Sequence, residues 1–100
     1  MQIAMRHTAE TCDVTLSGTF TFSDSTAFRD VLAQIGEPKV QRVVLHMAKV
    51  EFVDSAALGM LLLANDEAAK YQKSLIINGP TGQVRKMFDL ARFNTLFTIS

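Results

Sequence analysis

The sequence predicts an α/β fold: a central mixed β-sheet of about four to five strands, with about three or four helices mainly on one face. Two observations carry this expectation. Short segments with strand signals alternate with longer segments whose apolar residues recur at helical spacing. The 100 residues also suit one compact domain, 1–100, with little room for a second. Strands joined by helical crossovers run parallel, because each crossover returns the chain in the same direction.

Gln2 to Met5 is short and partly apolar, an edge-strand candidate. Cys12-Asp13-Val14-Thr15-Leu16 alternates apolar and polar side chains, the period of a half-buried strand, and Gly18 closes it. After Phe20-Thr21-Phe22 comes Ser23-Asp24-Ser25, a cluster of N-cap residues. Ala27, Phe28, Val31, Leu32 and Ile35 follow at helical spacing before Gly36 and Pro38, which predicts an amphipathic helix over 23–35. Val40 to Met47 is rich in β-branched residues and reads as a buried strand. A connection, 48–53, leads to Asp54-Ser55 and a long helix over 55–72. Its apolar stripe is Ala57, Leu58, Leu61, Leu62, Ala68 and Ala69, with Glu67, Lys70 and Lys73 facing water. Ser74 to Asn78 reads as a short buried strand and Gly79-Pro80-Thr81-Gly82 as a loop. Val84, Met87, Phe88 and Ala91 mark a third helix over 82–91, and Leu96 to Ile99 a final strand.

Hydrophobic residues make up 48% and charged ones 20%, a globular rather than a disordered composition. Ten Lys+Arg balance ten Asp+Glu. No nucleic-acid partner is expected, since such affinity comes from excess cations neutralising phosphates. A basic membrane-surface role fails on the same ground. The longest strictly apolar run is Ala56 to Ala64, with Gly59 inside it. A bilayer span needs about 20 residues, so no direct membrane insertion is expected. Met1 to His7 lacks a basic region followed by a long apolar one, so no secretory signal is expected either. Cys12 stands alone, which excludes an internal disulfide and a thiolate zinc cluster. A cytoplasmic location is the expectation.

The chemistry-bearing patterns of enzymes are missing. Gly79-Pro80-Thr81-Gly82-Gln83 lacks the lysine of a phosphate loop, and neither a three-glycine dinucleotide fingerprint nor a Gly-x-Ser-x-Gly elbow occurs. His46 falls in a predicted strand, where a hydrogen-bonded structural role is expected, and His7 near the terminus reads as solvated. Cys12 on an alternating strand reads as a small buried hydrophobe. The chain is therefore expected to be no enzyme, and no cofactor or metal is implied.

Asp54-Ser55 stands directly before the strongest helix. Either residue can cap it by accepting a bond from a free N–H of the first turn. The other reading is phosphorylation of the serine: a phosphate at a helix N-terminus meets free N–H groups and the positive end of the dipole, so the fold survives it. The charge of about −1.5 to −2 still transforms that surface.

Val43-Val44-Leu45-His46-Met47, followed by Val50 to Leu63 with Phe52-Val53-Asp54-Ser55-Ala56-Ala57-Leu58-Gly59 at its centre, resembles the signature of the STAS domain. In that family, named for sulfate transporters and anti-sigma-factor antagonists, a strand leads into Phe-x-Asp-Ser-Ser/Thr-Gly-Leu-Gly and an apolar helix. Val14 to Gly18 is similar to the family's Leu-x-Gly strand end, and Asn78 to Phe97 to its tail. The chain departs from the pattern at Ala56 and Ala57, at His46-Met47 where an Asp-Leu is common, and at Ala91 to Asn94 in place of Gly-Leu. Loss of an acidic group at His46, near the switch, puts a nucleotide or metal role of that position in doubt.

The resemblance implies a stand-alone anti-sigma-factor antagonist (an anti-anti-sigma factor) that regulates transcription by partner switching. Unphosphorylated, such a protein binds an anti-sigma factor that is also a serine kinase. Phosphorylation, here of Ser55, releases it, and a serine phosphatase, in some systems linked to a response regulator, resets the cycle. In a βαβ layout the loop after the second strand lies near the start of the Ser55 helix. Phe22, Ser23 and Asp24 are accordingly expected to form one partner-binding face with Asp54, Ser55, Ala56, Gly59 and Met60. For Phe22 and Met60 the competing expectation is that they fill the core. The alternative function is an accessory subunit of a membrane transport complex that binds its ATP-binding-cassette ATPase, with Ser55 mainly a cap. Direct nucleotide binding is a third.

Overall fold

Seven residues at the N-terminus, Gln2–Thr8, form β1, and after a two-residue turn Thr11–Phe20 form β2. The pair is antiparallel, in register from Gln2 opposite Ser17 to Thr8 opposite Thr11. This structure, a computed structural model, describes residues 1–100. Thereafter α1 (Ser25–Ile35), β3 (Arg42–Val53), α2 (Ser55–Lys70), β4 (Ser74–Asn78), α3 (Gly82–Leu90) and β5 (Thr98–Ile99) alternate. The sheet order is β1-β2-β3-β4-β5, and every pair after the first is parallel. The predicted mixed sheet with a parallel interior is the observed one.

One face of the sheet is sealed. Cys12, Val14 and Leu16 of β2, Val43, Leu45 and Met47 of β3, and Leu75 and Ile77 of β4 are buried. They meet Phe28, Val31 and Ile35 of α1, Ala57, Leu61, Ala64 and Ala68 of α2, and Val84 and Phe88 of α3. The alternate residues Asp13, Thr15, His46 and Asn78 stay half-buried on the other face, so the helices cover one side only. Phe20 packs tilted against Phe28 with ring centroids 5.1 Å apart, and Phe88, Phe93 and Phe97 form a second aromatic row at 5.0 and 4.9 Å.

Several boundaries differ from the sequence expectation. β3 runs on to Val53, through the stretch read as a connection, because β2 also continues past Gly18 to Phe20 and pairs with it. Irregular register between Thr15 and Ser17, and again between Gly18 and Thr19, breaks the simple alternation that a strand pattern requires. Gly18, at φ +88, is thus a bulge within β2 and not its end. β1 extends to Thr8, beyond the predicted Met5, because the hairpin closes only at Ala9-Glu10. α1 begins at Ser25, since Phe22–Asp24 form a separate 3₁₀ turn. Leu96 and Phe97 lie outside β5, after a second 3₁₀ turn at Phe93–Thr95.

Candidate functional site

The site lies where β2 and β3 end side by side. Phe20 pairs with Val53 in the last rung of the parallel ladder, and Asp54 N–H donates to the Phe20 carbonyl at 3.3 Å. The chain then enters the 3₁₀ turn on one side and α2 on the other. Asp54, in extended backbone conformation (φ −103, ψ −179), is the N-cap of α2, and its Oδ1 accepts the Ala57 N–H at 2.8 Å. Its Oδ2 accepts the Phe22 N–H at 3.1 Å. One carboxylate therefore holds the helix start and the neighbouring turn together.

Asp54 performs the capping, and Ser55, the first helical residue, is exposed. Its side chain makes no hydrogen bond to the first turn, whose cap bond comes from Asp54.

Asp24 is used for architecture. Its Oδ2 accepts the Thr21 N–H at 2.8 Å, and its Oδ1 lies 3.2 Å from the Met1 ammonium. Burial pushes the Asp24 carboxyl upward, but the Thr21 N–H and the ammonium outweigh it and hold the group below its ordinary value.

The expected face is only partly on the surface. Phe22 (73% exposed), Ser23, Ser55 and Gly59 point to solvent; Asp24, Asp54 and Ala56 are half-buried. Met60 is a correction: at 9% exposed it belongs to the hydrophobic core, on the same inward stripe as Ala57, Leu61 and Ala64. For Phe22, by contrast, the core-filling alternative fails. Beyond Gly59 the outer face of α2 carries Leu62 and Leu63, both exposed.

Gln83 was not singled out from the sequence. Its carboxamide, at the start of α3, accepts the Val53 N–H at 3.1 Å and donates to the Val53 carbonyl at 3.2 Å. A lone Gln after Pro80-Thr81-Gly82 gives no sign of such a bond, which depends on how α3 packs against β3.

For His46 the expected role is the observed one, and only its placement near the switch is corrected. It sits mid-strand on the uncovered face, not near Ser55, with Nε2 2.8 Å from Asp13 Oδ1 and Nδ1 3.0 Å from Asn78 Nδ2. This is the hydrogen-bonded structural role expected of it. A shallow depression lined by Ala4, Arg6, Thr8, Asp13, Thr15 and His46 lies on that same face. His7 is not merely solvated: its Nε2 is 2.7 Å from Gln34 Oε1 of α1. Cys12 is fully buried, and burial, with Asp13 beside it, pushes its thiol up and away from reactivity. No group of three or more His, Cys, Asp or Glu is placed to hold a metal ion. No helix is long and apolar enough to cross a membrane.

Comparison with known proteins agrees with this geometry. A family model described as "Mlab, STAS domain" matches residues 3–98. A STAS-domain-containing protein of Pseudomonas aeruginosa (strain UCBPP-PA14) is 31% identical over 87 residues, covering 87% of this chain and 85% of that protein. Among solved structures, the unphosphorylated form of the anti-sigma factor antagonist SpoIIAA superposes with a TM-score of 0.77 at 19% identity, covering 99% of this chain and 87% of that one. SpoIIAA of Bacillus in its phosphorylated form gives 0.76 at 19% identity, over 99% and 91% of the two chains. An anti-sigma factor antagonist from Mycobacterium paratuberculosis gives 0.84 at 15% identity, over 98% and 83%. The murine anion transporter Slc26a9 matches at 0.72 and 23% identity, over 85% of this chain but 14% of the transporter. The five-stranded mixed sheet with its helices on one face is the fold of these antagonists, and the chain belongs to the STAS-domain family.

Proposed function

We propose that this chain is an anti-sigma-factor antagonist of the partner-switching kind, a cytoplasmic binding module and not an enzyme. Unphosphorylated, it binds an anti-sigma factor that is also a serine kinase. Phosphorylation of Ser55 releases it, and a serine phosphatase restores it. The observation that carries the reading is the division of labour at the start of α2: Asp54 caps the helix, and Ser55 is left exposed beside Phe22. A serine needed as the cap would be turned inward to the first-turn N–H groups, out of a kinase's reach.

The electrostatics support a switch. A phosphate on Ser55 lies at a helix N-terminus, where the dipole favours it by about 0.3–1 kcal/mol, so the fold persists. SpoIIAA, whose phosphorylated and unphosphorylated forms match this fold equally well, gives a precedent. At an interface the same charge is desolvated beside Asp54. Burying a charge without a built partner costs about 2–5 kcal/mol of affinity, or roughly 30- to 4,000-fold.

The test pairs binding with stability. Ser55→Asp and Ser55→Glu should weaken binding to the kinase by that factor with an almost unchanged melting curve. Ser55→Ala should bind constitutively and resist phosphorylation, and its stability should shift by no more than about 0.5 kcal/mol, because Asp54 supplies the cap. Equal kinase affinities for the alanine and aspartate variants would leave Ser55 a surface residue without a switching role. Purified protein should hydrolyse neither ATP nor esters; turnover abolished by a single substitution would overturn the non-enzymatic reading.

A second reading is the accessory-subunit alternative that the resemblance implies; the match to a part of murine Slc26a9 supports it to the extent that the same fold occurs within a membrane transporter. Under it, this chain clamps the ATP-binding-cassette ATPase of a transport complex, and Ser55 is never modified. Mass spectrometry for phosphate on Ser55 in protein from its native cell separates the two.

A further inference from the structure

β3 outruns β4. The two pair only from Arg42 to His46, so the last residues of β3 have no strand on that side, while Phe20 of β2 occupies the other. At Val53 a side chain takes the missing strand's place. The Gln83 carboxamide gives Val53 one acceptor and one donor, the two bonds a peptide of a neighbouring strand would supply. The next residue is Asp54, whose carboxylate holds Phe22 and Ala57, and the one after it is Ser55.

We infer that Gln83 is a positioning residue for Ser55, one that couples the start of α2 to the first turn of α3. The inference rests on Ser55 being the modified residue. Val53 and Asp54 share a peptide unit, the one whose carbonyl Gln83 holds and whose N–H donates to Phe20. A charge added to Ser55 repels the Asp54 carboxylate, and any turn of Asp54 about its backbone tilts that peptide. The carboxamide, bonded to both the N–H and the carbonyl of Val53, follows the tilt or loses a bond, and what its own side-chain torsions do not absorb passes to its helix turn. Around Gln83 the chain is exposed at Thr81, Gly82, Arg85 and Lys86, while Val84 and Phe88 are fully buried. The movement is therefore delivered to a short basic turn on the same end of the sheet as Phe22 and Ser55.

A double-mutant cycle in the isolated protein tests the coupling. Amide spectra are compared for wild type, Ser55→Glu, Gln83→Ala and the double variant. Ser55→Glu should shift the amides of Phe22 to Asp24, of Ser55 to Ala57, and of Gly82 to Lys86. With Gln83→Ala as background the first two sets should remain and the third should vanish. Absence of the Gly82 to Lys86 shifts in the Gln83-containing protein overturns the inference. So does their persistence without Gln83, which would assign them to the field of the new charge. A purely structural Gln83 would lower the melting temperature without changing this pattern. Should Gln83→Ala fail to fold, Gln83→Glu keeps the acceptor for the Val53 N–H but loses the donor to its carbonyl, and the same loss of coupling is expected. Exchange of the Val53 amide should also quicken in Gln83→Ala by about tenfold relative to Ile77, the factor that 1.4 kcal/mol represents; unchanged exchange refutes the clasp. No partner enters these measurements, so a failed kinase titration bears on the proposed function alone, and a failed cycle on Gln83 alone.

Discussion

Asp54 Oδ2 accepts the Phe22 N–H at 3.1 Å, across 32 positions of sequence, while Oδ1 of the same carboxylate caps α2 through Ala57 at 2.8 Å. The exposed Phe22 ring and the exposed Ser55 hydroxyl are thereby fixed to one another through a third residue. Their relative placement is a property of the fold and not of two independent loops.

Asp54→Ala should therefore be the most damaging single change at this site. Loss of the cap costs about 0.5–2 kcal/mol, and loss of the solvent-exposed bond to Phe22 no more than about 0.5–1.5 kcal/mol further, because water can take the freed N–H. Asp54→Asn keeps an acceptor oxygen and should recover a good part of the loss. Denaturant midpoints at constant slope measure both; an alanine variant as stable as wild type contradicts the double role.

Gly59→Ala separates stability from binding. Gly59 lies on the outer face of α2 with nothing within 4 Å of where a Cβ would stand, so the fold itself has no need of glycine there. Alanine should stabilise the free protein by about 0.5–1 kcal/mol. If a partner approaches this backbone closely, the same change should weaken the complex. Improved stability with unchanged kinase affinity would remove Gly59 from the partner-binding face.

The Asp24 carboxyl has a definite pH signature. Its folded-state value lies below the ordinary 3.8, so folding favours the ionised form. The stabilisation is fully present above that ordinary value and is lost as pH falls through the folded one. Asp24→Asn should flatten the acid limb of the stability curve in that window and leave its shape near neutrality intact. An identical acid limb in the variant would count against the role of the Thr21 and Met1 contacts.

Arg92→Gly should stabilise. Arg92 carries φ +58 at the turn after α3, a left-handed conformation that costs an L-residue about 1–2 kcal/mol and glycine almost nothing. The departure from the family's Gly-Leu thus leaves the turn in place, with Arg92 bearing the strain. A gain of about 1 kcal/mol is expected after allowing for glycine's greater unfolded-state freedom. A loss of stability would mean that Arg92 makes a compensating contact.

Much of this fold was legible in sequence because the information was local. The alternation of Cys12 to Leu16, the helical spacing of Phe28, Val31 and Ile35, and the β-branched run before Met47 each reflect one element meeting one apolar layer. The Asp54-Ser55 helix start was equally plain, since capping is a matter of a few consecutive residues.

Where the reading fell short, distant segments had decided the outcome. The strand character of Ala48 to Val53 depends on β2 continuing past Gly18, and the register irregularities between them erase the period that would announce it. Met60 is the exception: it follows Ala57 by three residues and lies on the buried stripe with Leu61, Ala64 and Ala68, so helical spacing alone places it in the core.

The order of elements, the parallel interior of the sheet, the family and the helix start with its serine could all be read along the chain. That Asp54 is the cap and Ser55 is not, that Phe22 stands outside the core, and that Gln83 completes β3 emerged from the folded molecule. The physical reason is that hydrogen-bond partners such as Asp54 with Phe22, and Val53 with Gln83, about 30 residues apart, are chosen by packing. A side chain's identity says what it can bond, and the folded chain alone says what lies within reach.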